Sequence, residues 1–91
     1  MKPENQDLDR LRWEIDALDD QLLTLIQKRI QLARKIGRLK RAGGYDIADS
    51  RREASILKRL DEQIKPGLSP DQVRTLYAVI FQLCRDVQEP E

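Results

Sequence analysis

The sequence predicts an all-α chain of three helices, and three observations lead to that class. Aliphatic residues recur at alternating spacings of three and four from Leu8 to Leu39, which is typical of a long helix that packs in coiled-coil fashion. Gly43-Gly44, Pro66-Gly67 and Ser69-Pro70 mark places where helices end and begin. The sequence contains no strand signals, repeats or low-complexity segments.

The first helix is expected to run from about Asp7 to Arg41 and to dominate the architecture. At 1.5 Å per residue it would be roughly 50 Å long, whereas a compact chain of this length has a radius of gyration near ~12 Å. Because its apolar seam would be exposed in a monomer, we expect the chain to dimerise through this helix, by itself or within a larger assembly. Trp13 is expected to pack at that interface. Residues 1–91 are expected to form a single domain, with the core at about 7–88.

Two shorter helices are expected to follow and to pack across the first. The second begins at Asp49 or Ser50 and ends at Pro66-Gly67, and the third begins at Ser69-Pro70 and ends before Pro90. The buried faces are expected to comprise Ala54, Ile56, Leu57, Leu60 and Ile64 of the second helix, and Val73, Leu76, Tyr77, Ile80, Phe81, Cys84 and Val87 of the third.

The composition excludes several classes of function. With 17 basic and 16 acidic residues, the chain has no net field for nucleic acid or membrane, and its basic cluster at 34–41 lacks interleaved aromatic residues. The absence of histidine and the single Cys84 argue against a zinc site and against Ser-His or Cys-His nucleophiles. We therefore expect no metal and no cofactor. One cysteine and no long apolar run fit a cytoplasmic protein.

Arg29 interrupts the apolar seam of the first helix and needs an anion to offset the cost of its burial. Either a carboxylate of the protein or a ligand supplies it. Ala33, Gly37 and Lys40 fall close to the same line, which predicts a hollow with a floor of small residues between two cations. Lys40 could equally be a solvated lysine at a helix end, where the dipole favours it.

Polar residues also occur beside the apolar faces of the other helices. The second helix has Asp49, Arg52 and Glu53 in the pattern D-x-x-R-E, and the third continues its apolar stripe with Gln88. Simpler roles remain open for each of them. Ser50 and Glu53 match a capping box, Asp49 could be only an N-cap, and Gln88 could be a frayed surface residue.

The full constellation resembles the all-helical (AroQ-class) chorismate mutases, especially the short domain fused to prephenate dehydratase in enteric bacteria. The resemblance covers residues 8 to 88, and its spacings agree throughout. Its anchors are Leu11-Arg12-Trp13-Glu14-Ile15-Asp16-Ala17-Leu18-Asp19, Lys28-Arg29 with Leu32-Ala33 and Ile36-Gly37, then Lys40, Asp49-x-x-Arg52-Glu53 and Gln88.

The resemblance implies roles for the cationic and amide residues. Arg29, together with Arg12 from the other subunit, matches the arginines that hold the two substrate carboxylates, and Arg52 matches a further arginine of the site. Lys40 and Gln88 match the pair that hydrogen-bonds the ether oxygen. Conversion of chorismate to prephenate is a pericyclic rearrangement without proton transfer, so such donors suffice if they stabilise charge growing on that oxygen.

The remaining implied contacts concern the ring and its hydroxyl group. Asp49 and Glu53 match the positions that receive the ring hydroxyl, Asp49 largely through its backbone, while Ala33 and Ile36 match the apolar lining. Cys84 is a departure, because the relatives within this family have a serine there that contacts a carboxylate. A thiol is a poorer donor, which leaves open whether Cys84 contacts the substrate.

Two other functions remain open at the level of sequence. The same dianion clamp and ether-oxygen donors could serve an isochorismate–pyruvate lyase, although the D-x-x-R-E segment favours the mutase. Alternatively, the chain could be a catalytically idle helical dimer that binds and regulates an enzyme of the aromatic pathway. A partner enzyme of the aromatic pathway is an expectation of this kind. For the dimer, the resemblance implies an intertwined homodimer in which the first helices pair antiparallel and each of two active sites borrows Arg12.

Overall fold

The structure of the chain, a computed structural model, describes residues 3–63 and 65–89, with side chains from Gln6 onward. It contains three helices: α1 spans Pro3–Gly43, α2 spans Ser50–Asp61 and α3 spans Pro70–Gln88. No strand occurs in these described ranges. The predicted all-α class with a long first helix is confirmed.

Helix α1 is longer than the apolar pattern predicts. It has 41 residues and begins at Pro3, because proline is compatible with the first turn of a helix. The molecule is correspondingly elongated, with a longest dimension of 63 Å and a radius of gyration of 17.8 Å. A compact chain of this length would have a radius near ~12 Å, so much of α1 extends beyond any core the single chain can form.

The C-terminal end of α1 is closed by a Schellman-type cap at Gly44. Gly44 has a φ of 74°, a left-handed conformation that glycine adopts without steric cost. The Tyr45 amide donates to the Lys40 carbonyl at 2.8 Å, and the Gly44 amide donates to the Arg41 carbonyl at 3.3 Å. The cap turns the chain sharply away from α1 and starts the loop that leads to α2.

Helix α3 is the element that holds the chain together. It packs against α1 and also against α2, whereas α1 and α2 do not approach each other closely within the described residues. The small core lies along α3 and consists of Ala33, Ile56, Val73, Phe81 and Cys84. The space between α1 and α2 is therefore left open beside α3, and the candidate site lies there.

The N-cap residues of α2 and α3 can be compared with the helix starts that the sequence predicts. Ser69 caps α3 in a full capping box with Gln72, as the Ser69-Pro70 pair predicted. Of the two N-caps that the sequence left open for α2, Ser50 with its capping box to Glu53 is not the one that forms. Asp49 is the N-cap of α2 and accepts from the Arg52 amide at 3.0 Å, which leaves Glu53 free for a contact with α3.

The predicted buried faces need two corrections. Ala54 is exposed because α2 packs only against α3 and buries a narrow face around Ile56, and Leu76 is 55% exposed because it lies on the side of α3 turned away from α1 and α2. Ile64 lies outside the described residues. Trp13 is 76% exposed in the single chain. Within the described ranges, no helix combines the length and apolar character needed to cross a bilayer.

Candidate active site

A cavity of about 480 Å³ lies between the three helices, and nine of the ten predicted site residues line it. The lining combines cations, two carboxylates and an apolar floor. The cations are Arg29, Lys40, Arg52, Arg59 and Arg85, the carboxylates are Asp49 and Glu53, and the apolar residues include Leu32, Ala33, Ile36, Ile47, Ile56, Tyr77 and Phe81. Five basic side chains against two acidic ones make this cavity suited to an anion, although the whole chain is nearly neutral.

Arg29 projects from α1 toward the aromatic residues of α3. Its guanidinium carbon lies 5.9 Å from the ring centre of Tyr77 and 5.8 Å from that of Phe81, distances at which a cation is attracted to an aromatic face. Its Nη1 donates to Cys84 Sγ at 2.9 Å. No carboxylate of the described residues lies within ion-pair distance of Arg29. Because sulfur is a weak acceptor, Arg29 retains most of its capacity to bind a carboxylate.

Lys40 lies about two turns beyond Ala33 and about one turn beyond Ile36 on α1, and it is held by the loop after the helix. Its Nζ donates to the Ile47 carbonyl at 2.8 Å, and the residue is half-buried. The contact shows that Lys40 is not a free, solvated lysine at a helix end. An ammonium group has three donors, so two of them remain for a ligand in the cavity.

Gln88, the last residue of α3, is buried against α1. It is 7% exposed, its Nε2 donates to the Cys84 carbonyl at 2.9 Å, and its Oε1 is buried without a partner. The alternative of a frayed surface glutamine is therefore wrong. A buried amide oxygen without a partner carries a desolvation cost, and a ligand that donates a hydrogen bond to Oε1 would offset it.

Helix α2 supplies the opposite wall of the cavity through Asp49, Arg52 and Glu53. Glu53 Oε2 lies 3.5 Å from Nε of Arg85, an ion pair that joins α2 to α3. Arg52 is exposed at the rim, where its Nη1 lies 3.5 Å from Ser55 Oγ. Asp49 Oδ1 caps α2 and the Asp49 carbonyl accepts from the Glu53 amide at 3.1 Å, so Oδ2 and the backbone amide of Asp49 are its remaining contact groups.

Arg12 is the predicted site residue that the cavity does not contain. It is exposed on α1, seventeen residues before Arg29 and thus roughly 25 Å away along the helix axis. Conversely, the sequence reasoning missed Arg59 and Arg85, which both line the cavity. A signal existed for each, since Arg59 lies one turn after the buried Ile56 and Arg85 lies one turn after Phe81.

Such a site can bind a small dianion and place hydrogen-bond donors at its far end. The family model described as chorismate mutase type II matches residues 11–89 of this sequence. The chain belongs to this family. The predicted resemblance is thereby confirmed, and all the residues that line the cavity fall within the matched range.

Individual relatives agree with this assignment. A chorismate mutase from Helicobacter pylori, whose crystal structure is in complex with prephenate, superposes with a TM-score of 0.86 at 36% identity and covers 91% of this chain and 90% of that one. A bifunctional chorismate mutase/prephenate dehydratase from Aquifex aeolicus is 30% identical over 88 residues, covering 92% of this chain and 24% of that protein. A 3-dehydroquinate dehydratase from Pyrobaculum aerophilum is 31% identical over 86 residues, covering 94% and 25%.

The present chain thus spans about a quarter of the length of these last two relatives. By contrast, it covers 90% of the Helicobacter pylori chain.

Proposed function

We propose that this chain catalyses the rearrangement of chorismate to prephenate, the step that leads toward phenylalanine and tyrosine. The observation that carries the proposal is the cavity itself, in which five cations, two carboxylates and a buried amide surround an apolar floor. The reaction needs no nucleophile, metal or redox group. It needs a flexible dianion folded into a chair-like conformer and held there.

Arg29 is proposed to bind one substrate carboxylate. Its position over Tyr77 and Phe81 fixes the guanidinium plane, and its present partner, Cys84 Sγ, is easily exchanged for a carboxylate oxygen. The thiol then lies beside the bound carboxylate as a weak donor. Arg52, exposed at the rim, is proposed to swing inward as a further contact for the dianion.

Lys40 and Gln88 are proposed to act on the ether oxygen as the carbon–oxygen bond breaks. Negative charge grows on that oxygen in the transition state, so an ammonium and an amide that are already in place stabilise the transition state more than the ground state. Both groups are held by the protein, Lys40 through the Ile47 carbonyl and Gln88 through the Cys84 carbonyl. Little reorganisation is then required during the reaction.

Asp49 and Glu53 are proposed to receive the ring hydroxyl, and Ala33 and Ile36 to contact the ring itself. Glu53 suits this role because its ion pair with Arg85 fixes the carboxylate at the wall of the cavity. A carboxylate is an acceptor with several lone-pair sites, so it can bind Arg85 and a hydroxyl group at the same time.

The second substrate carboxylate is proposed to bind Arg12 of the partner subunit in a homodimer. Arg12 cannot reach the cavity of its own chain, whereas antiparallel pairing of two α1 helices would bring it to the other chain's cavity. The exposed apolar seam of α1 is the surface that supports such pairing. A cytoplasmic location is proposed from the single, unpaired Cys84.

The direct test follows chorismate loss at its ultraviolet band with purified protein and identifies the product by chromatography. We expect prephenate from chorismate, with Arg29→Ala raising KM and lowering kcat. Arg34→Ala, which removes an exposed arginine of the same helix outside the cavity, is the matched control and should behave as wild type.

Three outcomes would argue against the proposal. Pyruvate and salicylate from isochorismate, without prephenate from chorismate, would indicate a lyase. No turnover of either compound, together with binding to an enzyme of the aromatic pathway, would indicate an interaction module. Equal loss for Arg29→Ala and Arg34→Ala would remove the cavity from the reaction.

A further inference from the structure

Gln88 is the last residue of α3, yet its side chain is among the most buried in the chain. Residues at helix ends ordinarily fray, because their backbone carbonyls lack partners within the helix. A donor at such a position loses its geometry unless something outside the helix holds it. Two residues in the last turns of α1, Gly37 and Arg41, contact Gln88 although neither lines the cavity.

Gly37 provides the space for Gln88. A Cβ atom added to Gly37 would lie 2.8 Å from Cα and 2.9 Å from both Cβ and Cγ of Gln88. Contacts this short do not occur in folded proteins, so any side chain here would force the end of α3 away from α1. Gly37 lies inside a regular helix and not in a turn, which means that close approach and not backbone conformation explains this glycine.

Arg41 provides the attachment. It lies one turn after Gly37 on the same face of α1, and its Nη1 donates to the backbone carbonyl of Gln88. That carbonyl is one of those that the helix itself leaves unpaired. A guanidinium at this place also meets the negative end of the α3 dipole. Arg41 does not line the cavity, so it acts on the site only through Gln88.

The side chain of Gln88 is oriented by the same arrangement. One N–H of its Nε2 donates to the Cys84 carbonyl one turn earlier at 2.9 Å. An amide nitrogen carries two N–H groups, so the second is left for a ligand. Its direction follows from where the backbone of Gln88 is held.

We propose that Gly37 and Arg41 are positioning residues that hold the Gln88 amide in register with Lys40. The inference rests on the proposed function, because it assigns Arg41 an effect on catalysis through Gln88. It also goes beyond the residues that line the cavity, because Gly37 and Arg41 of α1 together hold the C-terminal end of α3, an arrangement called the clamp below. Both catalytic donors are then placed by the C-terminal turns of α1, one directly and one through this clamp.

The test compares steady-state kinetics of Arg41→Ala, Arg41→Lys and Arg38→Ala. We expect Arg41→Ala to lower kcat by about 10-fold and to change KM by less than about twofold, because Gln88 acts on the transition state. A displacement of about 1 Å in a catalytic group can lower the rate by about 10²-fold, and the shift of the Gln88 amide is expected to be smaller than that. Arg41→Lys should restore part of the loss, since lysine retains one donor. Arg38→Ala, an exposed arginine one turn earlier, should match wild type.

A double-mutant cycle with Gln88→Ala separates positioning from general destabilisation. If Arg41 acts through Gln88, Arg41→Ala in the Gln88→Ala background should change kcat by less than about twofold. Gly37→Ala supplies an independent variant. Alanine is a better helix former than glycine, so Gly37→Ala should not weaken α1 itself. If Gly37→Ala lowers kcat, and if this loss disappears in the Gln88→Ala background, the cause is the displaced C-terminal end of α3.

The outcomes are distinct. Wild-type kcat in Arg41→Ala, or an equal loss of kcat with and without Gln88, overturns the clamp and leaves the proposed function intact. Absence of chorismate turnover by the wild-type protein overturns both. The clamp is supported if Arg41→Ala lowers kcat when Gln88 is present but not in the Gln88→Ala background, and if Arg41→Lys restores part of the lost kcat.

Discussion

The two halves of α1 differ in what they contact, although one apolar pattern runs through both. In the N-terminal half the seam residues are exposed in the single chain, Leu18 and Leu22 at 56% each. In the C-terminal half the seam residues Leu32 and Ile36 are also exposed, at 57% and 47%, but they line the cavity, and Ala33 and Gly37 beside them are buried against α3. The C-terminal half therefore contributes to the cavity, and the N-terminal half presents an apolar surface that is exposed in the single chain.

A single periodic apolar pattern therefore serves two purposes in α1, packing within the chain and a surface for a second chain. Small residues in the C-terminal half allow α3 to approach and leave room for polar side chains beside it. Leucines in the N-terminal half have the volume for packing against another helix of the same kind. With Arg12 on the N-terminal half and Arg29 on the C-terminal half, pairing two chains would complete each site with a residue of the other.

The largest expected effect comes from breaking the N-terminal half. Leu18→Asp places a carboxylate in the exposed seam, and by symmetry the change occurs twice in a dimer. We expect the variant to sediment as a monomer and to lose activity on the order of 10³-fold, the upper end of the loss that follows removal of one transition-state contact. Gln27→Asp adds the same charge on the opposite face of α1 and should leave mass and activity unchanged. An active monomer would refute the role given to this half.

The next effect concerns the donors held by the C-terminal half. Lys40→Ala and Gln88→Ala should each lower kcat by about 10²–10³-fold, with little change in KM, because both donors act on charge that develops in the transition state. Lys35→Ala is the control, since Lys35 is an exposed lysine of the same helix outside the cavity. Unchanged kcat with an altered KM would remove Lys40 from this role.

Gln88→Glu tests the same half through protonation. An ionised glutamate would repel the ether oxygen, whereas a protonated one donates to it. We expect poor activity at neutral pH that recovers roughly 10-fold or more as the pH falls toward about 5, or at a higher pH if burial raises the pKa of the new carboxyl. The exposed variant Gln27→Glu should keep the wild-type pH profile. A flat profile for Gln88→Glu would show that the residue does not donate to a developing charge.

The smallest effect is on stability alone and concerns α3, which packs on the C-terminal half. Ser69→Ala removes the N-cap and the capping box of α3, so the free energy of unfolding should fall by about 1 kcal/mol in urea titration. Ser50→Ala should change it by less than about 0.5 kcal/mol, because Asp49 and not Ser50 caps α2. Neither should alter kcat. Equal losses for the two serines would contradict the caps described above.

Much of the fold follows from local patterns in the sequence. The seam of α1, the Gly43-Gly44 stop and the Ser69-Pro70 start each depend on residues close together in the chain, and the structure agrees with them. The sequence left both Asp49 and Ser50 open as the N-cap of α2, and the structure has Asp49 in that position. Asp49 and Ser50 are both good N-caps, and the choice between them depends on Glu53, which is drawn to Arg85 of α3.

The site was harder to predict where it depends on how helices face one another. Arg29, Lys40 and Gln88 interrupt apolar stripes and are visible for that reason. Arg59 and Arg85 each follow a buried apolar residue by one turn, which is a weaker signal, and the packing of α3 beside α2 brings them to the cavity. The contact of Arg41 with Gln88 joins residues 47 positions apart, so no local spacing indicates it.

The central claim is that each site combines the C-terminal half of one α1 with the N-terminal half of another, and subunit mixing tests it most directly. Arg12→Ala and Arg29→Ala proteins, each nearly inactive, are mixed in equal amounts and allowed to exchange subunits. A mixed dimer has one site with both arginines and one with neither. Half of the dimers should be mixed, so activity should recover to about a quarter of the wild-type value. A mixture that stays as inactive as its two components after exchange would contradict the claim.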